Sequence, residues 1–353
     1  MNMQELRNNA QALVAPGKGI LAADESTGTI KKRFDSINAE STEETRLNYR
    51  EMLFRTKGAA EFISGVILYE ETLRQNSAID GTPLVKVLQD QSIIPGIKVD
   101  KSTNPLSGSN GELITDGLDG LRDRLAEYYE LGARFTKWRA VITIGDGIPS
   151  RYCIEANAHL LARFAALSQE ANLVPIVEPE VLMDGDHSID QCFEATVSTL
   201  REVYYQLGLQ GVYLEGSLLK PNMIISGEDA ANRADADEVA EKTLTCFSRT
   251  VPSAVPGVVF LSGGQSDEEA TVNLDAINRL AAKVGAPWEM GFSYGRGLQA
   301  APLVVWGGDP ANVEAAKQAY FQRARLTGAA RRGEYSMEMS GDRRLGEQSA
   351  ISR

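Results

Sequence analysis

The chain has 353 residues, 43% hydrophobic and 24% charged, with a formal net charge of -12. This composition supports a large buried core and excludes a disordered chain, and the acidic balance argues against a general nucleic-acid or anionic-membrane surface. Three cysteines without paired spacing, Cys153, Cys192 and Cys246, exclude a disulfide scaffold and read as buried thiols.

The N-terminal stretch lacks the basic flank and apolar segment of a secretory signal, and no apolar run of about 18 residues follows, so a cytoplasmic enzyme is expected. Helix-type and strand-type patterns then alternate. Helices are predicted over 3–14, 42–57, 82–89, 119–130, 152–171, 188–207, 229–247, 266–284 and 309–327, and strands over 19–24, 62–68, 93–99, 134–143, 173–179, 211–219, 257–262 and 287–293. Eight strands, nearly every one followed by an amphipathic stretch, predict an α/β fold of right-handed βα units closed into a (β/α)8 TIM barrel. The barrel domain is expected over 1–328, with a locally basic, Gly- and Ser-containing tail over 329–353. An open doubly wound sheet fits less well, because it gathers its site at one crevice, whereas here reactive residue types follow nearly all the strands.

Local signals mark several boundaries. Asp119 is expected to start one helix and Gly132 to end it; Ser266, followed by Asp267, Glu268 and Glu269, reads as a capped helix start, and Gly285 as its stop. Residues 99–117, rich in Ser, Asn and Gly, are expected to make a long excursion from the top of a strand.

The strand ends carry the chemistry. GILAADES ends near Asp24, IIPGIKVD carries Lys98, ARFTKWRAVI carries Lys137 and Arg139, LVPIVEPE carries Glu178 and Glu180, and GVYLEGSLLKP delivers Lys220. Alternation along a strand puts Lys137 and Arg139 on one face, as it does Glu178 and Glu180, with Trp138 on the other. A buried lysine amine is costly to keep charged, so Lys220 is a candidate to attack a carbonyl and form a Schiff base. Glu178 is assigned as the acid that expels carbinolamine water and Asp24 as the base that removes a hydroxyl proton. The turns Ser262-Gly263-Gly264 and Ser293-Tyr294-Gly295-Arg296-Gly297 offer backbone N–H groups, hydroxyls and a guanidinium where barrels hold phosphate. Neither turn matches a dinucleotide or P-loop fingerprint, which favours a phosphorylated metabolite over a nucleotide. Lys98, Arg139, Lys32 and Arg33 suggest a second anionic patch across the mouth, hence a bisphosphate. With only two histidines, a three-histidine metal centre is impossible; His159 reads as packed or capping, and His187 as part of a solvated turn.

The stretches LAADESTGTIKKRF, GIKVDK, FTKWRAV, PIVEPEVLMDGDH, VYLEGSLLKPNM, FLSGGQSDEEA and FSYGRGLQA, in this order, closely resemble the class I, metal-independent, Schiff-base fructose-bisphosphate aldolase family. The resemblance spans nearly the whole chain and implies reversible cleavage of fructose 1,6-bisphosphate, a role in glycolysis and gluconeogenesis, no cofactor, and a homotetramer that binds neither nucleic acid nor membrane. It implies that Lys220 forms the imine, Glu178 handles dehydration and proton transfer, Asp24 lies beside the C4 hydroxyl, Lys137 stabilises polar intermediates and Glu180 is its ionic support. It also implies that Ser262, Gly263, Ser293, Gly295 and Arg296 bind the C1 phosphate, and Ser26, Thr29, Lys98 and Arg139 the C6 phosphate. Animal members end in a tyrosine thought to assist proton exchange. This chain ends in Arg353, and its last tyrosine is Tyr335. The alternatives are a transaldolase-like transfer of a dihydroxyacetone unit, or a barrel with a structural, partner-binding role.

Overall fold

The computed structural model describes residues 1–341. Eight parallel strands close into a barrel: β1 Gly19–Ala23, β2 Ile63–Leu68, β3 Ile94–Lys98, β4 Phe135–Ile142, β5 Val174–Val181, β6 Leu218–Leu219, β7 Gly257–Phe260 and β8 Glu289–Tyr294. Each strand pairs with its neighbours in the chain, and β8 returns to β1 through Ile20 opposite Ser293 and Leu21 opposite Tyr294. Most strands are runs of fully buried residues, as expected where both faces are covered.

Two apolar layers hold the barrel. Outside it, Trp138 turns toward the helix Arg151–Glu170 and stacks on Phe164 with ring centroids 5.7 Å apart. Inside, Leu6, Ala10 and Leu13 of the helix Met3–Leu13 pack with Ile20, Ile67, Phe135 and Ile176, so that helix stoppers the end of the barrel opposite the site. Burying a side chain such as Phe135 is worth about 1.5–3 kcal/mol. The fit requires glycine: a Cβ at Gly96 would lie 2.3 Å from the Phe135 ring.

The expected elements are present with shifted ends. Ser266 caps the helix Asp267–Val284 by accepting the Glu269 N–H at 3.1 Å, and Gly285 ends it at φ +68°. Asp119 is not a cap; Gly120, in the left-handed region, precedes the helix Leu121–Glu130. Of the strand expected over 211–219 only Leu218 and Leu219 form, after a 3-10 turn at Leu214–Gly216. The excursion after β3 contains a small antiparallel hairpin, Thr103–Pro105 with Leu113–Thr115. The helix expected to stop at 327 continues to Arg331 with Ala329 and Ala330 buried, so the packed body passes residue 328, while the tail beyond residue 341 lies outside the described residues. Four helices escaped sequence reading: the five-residue Glu70–Arg74 and Met337–Gly341, and the longer Thr27–Asp35 and Arg296–Trp306, which each start directly at a strand-end motif that reads as loop.

Candidate active site

A cavity of about 220 Å³ opens at the C-terminal ends of the barrel strands. Lys220 follows β6, and its backbone N–H donates to the Val177 carbonyl at 2.8 Å, which extends the ladder by one residue and turns the side chain inward. Lys220 Nζ lies 3.1 Å from Glu178 Oε1, and the other Glu178 oxygen lies 3.3 Å from Lys137 Nζ. One carboxylate thus joins two lysines, and all three side chains are about 95% buried. Burial alone would raise the Glu178 pKa, but Lys220 and Lys137 outweigh it and hold the carboxyl below its usual range.

Lys137 is the hub. Its Nζ lies 2.8 Å from Asp24 Oδ2, 3.3 Å from Glu178 Oε2 and 3.8 Å from Asp100 Oδ2. Burial disfavours the ammonium, yet the three carboxylates more than compensate and raise its pKa. The same contact works in reverse on Asp24, whose pKa burial would raise and Lys137 and Lys220 drive well below the carboxylate range. Glu180 does not support Lys137. It pairs with Arg139, because β4 and β5 are in register with Arg139 opposite Glu178 and Val141 opposite Glu180, which brings those two side chains together at the rim.

Hydroxyls, backbone N–H groups and cations line the rest of the cavity. The lining includes Ser262, Gly263, Ser293, Gly295 and Arg296. Gly295 precedes the helix Arg296–Trp306, whose N-terminal N–H groups make a natural anion site. Gly263 takes φ +54°, a conformation that favours glycine, and its carbonyl accepts a bond from Arg296. Ser293 Oγ is buried with no hydrogen-bond partner. Ser26, also on the lining, caps Thr27–Asp35, accepting the Thr29 N–H at 3.3 Å with the two hydroxyls 3.1 Å apart. Thr29, Lys98 and Arg139 line the same cavity.

Every catalytic residue and every phosphate-binding residue implied by the resemblance therefore lines one cavity. Of the second anionic patch, Arg33 lines it, 2.5 Å from Glu25 Oε1, whereas Lys32 is exposed on the outside of its helix. Sequence reading missed Glu25 and Asp100. Asp100 was legible in principle, since two-residue alternation in KVD puts it on the face of Lys98, and its Oδ1 lies 3.1 Å from that lysine. Two histidine expectations are corrected. His159 is exposed near Gln206, and His187 is buried, because the segment around Gly227 covers its turn and donates a backbone N–H to its carbonyl at 2.8 Å. Tyr335 donates its backbone N–H to Asp275 and pairs its hydroxyl with Ser340, outside the set of residues lining the cavity. The three cysteines are buried.

Known proteins share this pattern along the whole chain. The fructose-bisphosphate aldolase class-I family matches residues 5–351. The probable fructose-bisphosphate aldolase class 1 of Xanthomonas campestris is 54% identical over 95% of this chain and 99% of its own length. The cytosolic fructose-bisphosphate aldolase 4 of Arabidopsis thaliana is 53% identical over 97% of this chain and 86% of its own. A solved structure of fructose-bisphosphate aldolase from Plasmodium falciparum, in complex with TRAP and a small molecule inhibitor, superposes with a TM-score of 0.92 at 50% identity, over 95% of this chain and 96% of that one. With a closed eight-stranded barrel, a buried lysine–glutamate–lysine cluster at its mouth and this likeness from end to end, the chain belongs to the class I fructose-bisphosphate aldolase family.

Proposed function

We propose the following division of labour among the cavity residues for the reaction of this family, the reversible aldol cleavage of fructose 1,6-bisphosphate through a lysine Schiff base. The observation that carries it is Glu178 placed between Lys220 and Lys137 at 3.1 and 3.3 Å. Lys220 must shed a proton before it attacks the C2 ketone, and Glu178 is within reach to take that proton and return it to the carbinolamine hydroxyl as water leaves. The iminium then draws electrons from the C3–C4 bond. Asp24 takes the C4 hydroxyl proton, C4 becomes the carbonyl of glyceraldehyde 3-phosphate, and the bonding pair remains on the enamine. Protonation at C3 and hydrolysis release dihydroxyacetone phosphate and regenerate Lys220.

Lys137 offsets negative charge as it moves between Glu178 and Asp24, the electrostatic work a preorganised cation does best in a dry site. Arg139, braced by Glu180, is a phosphate ligand rather than part of that relay. Ser262, Gly263, Ser293, Gly295 and Arg296 receive the C1 phosphate; Ser26, Thr29, Lys98 and Arg139 receive the C6 phosphate. Proton delivery to the enamine falls to the core carboxylates, since Tyr335 is engaged with Ser340. The barrel body and a separate tail, the homotetramer and the cytoplasmic setting belong to the same proposal; among the described residues no helix is long and apolar enough to cross a membrane. Sedimentation tests the tetramer.

The direct test is borohydride reduction in the presence of dihydroxyacetone phosphate followed by peptide mapping. Label at Lys220 is expected, and label elsewhere or none overturns the assignment. Turnover of fructose 1,6-bisphosphate against sedoheptulose 7-phosphate plus an acceptor aldehyde separates cleavage from dihydroxyacetone transfer.

A further inference from the structure

Asp100 is the one carboxylate of the central cluster that is not among the residues lining the cavity. It follows β3, its side chain is 96% buried, and its two oxygens divide their contacts. Oδ1 lies 3.1 Å from Lys98 Nζ and Oδ2 lies 3.8 Å from Lys137 Nζ, while Oδ2 also accepts the Arg139 backbone N–H at 3.3 Å, which fixes the carboxylate's orientation. Lys98 and Lys137 face each other across the β3–β4 register, so a carboxylate just beyond β3 sits behind both.

The charged groups around Lys137 come from every side: Asp24 beyond β1, Lys98 and Asp100 from β3, Arg139 from its own strand, Glu178 from β5 and Lys220 beyond β6. Two of the three carboxylates that touch Lys137 are the two that exchange protons with substrate. When Asp24 accepts the C4 hydroxyl proton, or Glu178 holds the proton destined for carbinolamine water, that carboxyl is neutral and its hold on the ammonium weakens. Asp100, absent from the cavity lining, exchanges no proton with substrate in this scheme.

We propose that Asp100 is a positioning residue, a carboxylate withheld from substrate that keeps Lys137 protonated and in place while Asp24 and Glu178 change charge. This inference rests on the roles given above to Lys137, Asp24 and Glu178. It separates two jobs for one side chain. A carboxylate serving only as the ionic partner of Lys98 would affect sugar-phosphate binding and move KM; one that steadies Lys137 moves kcat.

The test compares the full chain with its Asp100→Asn and Asp100→Glu variants. Asparagine keeps the shape and can still accept the Arg139 N–H, so it removes charge alone. Thermal unfolding, borohydride labelling with dihydroxyacetone phosphate, and kcat and KM on fructose 1,6-bisphosphate are read for each. Asp100→Asn is expected to fold, to label at Lys220 as the parent does, and to lose kcat by roughly tenfold or more with little change in KM, less than the roughly 100-fold or greater loss typical of a donor in direct contact with developing charge. Asp100→Glu recovers part of the loss. Unchanged kcat, a loss confined to KM, no labelling, or failure of the Asn variant to fold overturns the proposal. If the unmodified chain is not labelled at Lys220, the site reading itself fails; if it is labelled and Asp100→Asn turns over as fast, only the role of Asp100 falls.

Discussion

Replacing Lys137 by methionine removes the hub cation while keeping a similar apolar volume. Three carboxylates at 2.8, 3.3 and 3.8 Å then lose their shared partner, leaving Asp100 with Lys98 and Glu178 with Lys220, while Asp24 has lost its close ion pair. Removing one member of a buried ion cluster costs about 3–5 kcal/mol, because charge remains behind without compensation. At an unfolding entropy of about 2.1 cal/mol/K per residue, that corresponds to a fall in Tm of about 4–7 °C for a chain this long. The loss must depend on pH. In the parent chain the Asp24 and Glu178 pKa values are depressed, so they contribute stability that is present above their unfolded values near 4 and disappears as pH falls through the folded ones. In the variant Asp24 loses its closest cation while its burial remains, so its pKa rises and it gains by taking up a proton, whereas Glu178 keeps Lys220. The two proteins should therefore differ most near neutrality, with the gap narrowing as pH falls below about 4 toward the parent's depressed folded values. Thermal unfolding of both from about pH 8 down to about pH 3 checks this, with turnover measured in parallel at neutral pH and expected to be nearly abolished while borohydride labelling of Lys220 survives. A Tm gap that stays constant with pH, or no gap at neutral pH, would refute the account of Lys137 as the balancing charge.

Other outcomes follow from particular contacts. Ser26→Ala removes the cap of Thr27–Asp35 at a cost of about 1 kcal/mol and should raise KM for fructose 1,6-bisphosphate more than for fructose 1-phosphate; equal effects on the two sugars would place Ser26 outside the C6 phosphate site. Gly96→Ala drives a methyl group against Phe135 and should cost about 1–3 kcal/mol in unfolding free energy, measured in urea, with a variant as stable as the parent showing that the barrel floor yields easily. Burial pushes the thiols of Cys153 and Cys192 up to about 11 and that of Cys246 up to about 12, so iodoacetamide at neutral pH should modify them slowly in the native protein and quickly after denaturation. Rapid native-state alkylation at any of the three would contradict their environment.

Much of the barrel was legible because its signals are local. Buried strands read as short apolar runs, helices as longer amphipathic ones, and two-residue alternation already grouped Lys137 with Arg139 and turned Trp138 outward. The misreadings share a cause as well. Residues 211–217 look like a strand by apolar content, but Gly211 at φ +64° and the turn Leu214–Gly216 break the ladder until Leu218. The two longer of the unrecognised helices begin within the polar motifs Ser26-Thr27-Gly28-Thr29 and Gly295-Arg296-Gly297, where small and polar residues resemble a loop while in fact presenting helix N-termini to the cavity.

By itself the sequence determined the alternation of strands and helices, the kinds of reactive group each strand delivers to its end, and their side of the sheet, because those properties depend on residues two to four apart along one chain segment. Only the tertiary structure decided which charge answers which. Lys137 meets Asp24, Asp100 and Glu178 from three other segments of the chain, and Glu180 goes to Arg139 instead, because barrel closure and the β4–β5 register set distances between residues far apart in sequence. Coulomb interactions between buried charges depend steeply on those distances, so the balance that keeps Lys137 charged is a property of the closed barrel.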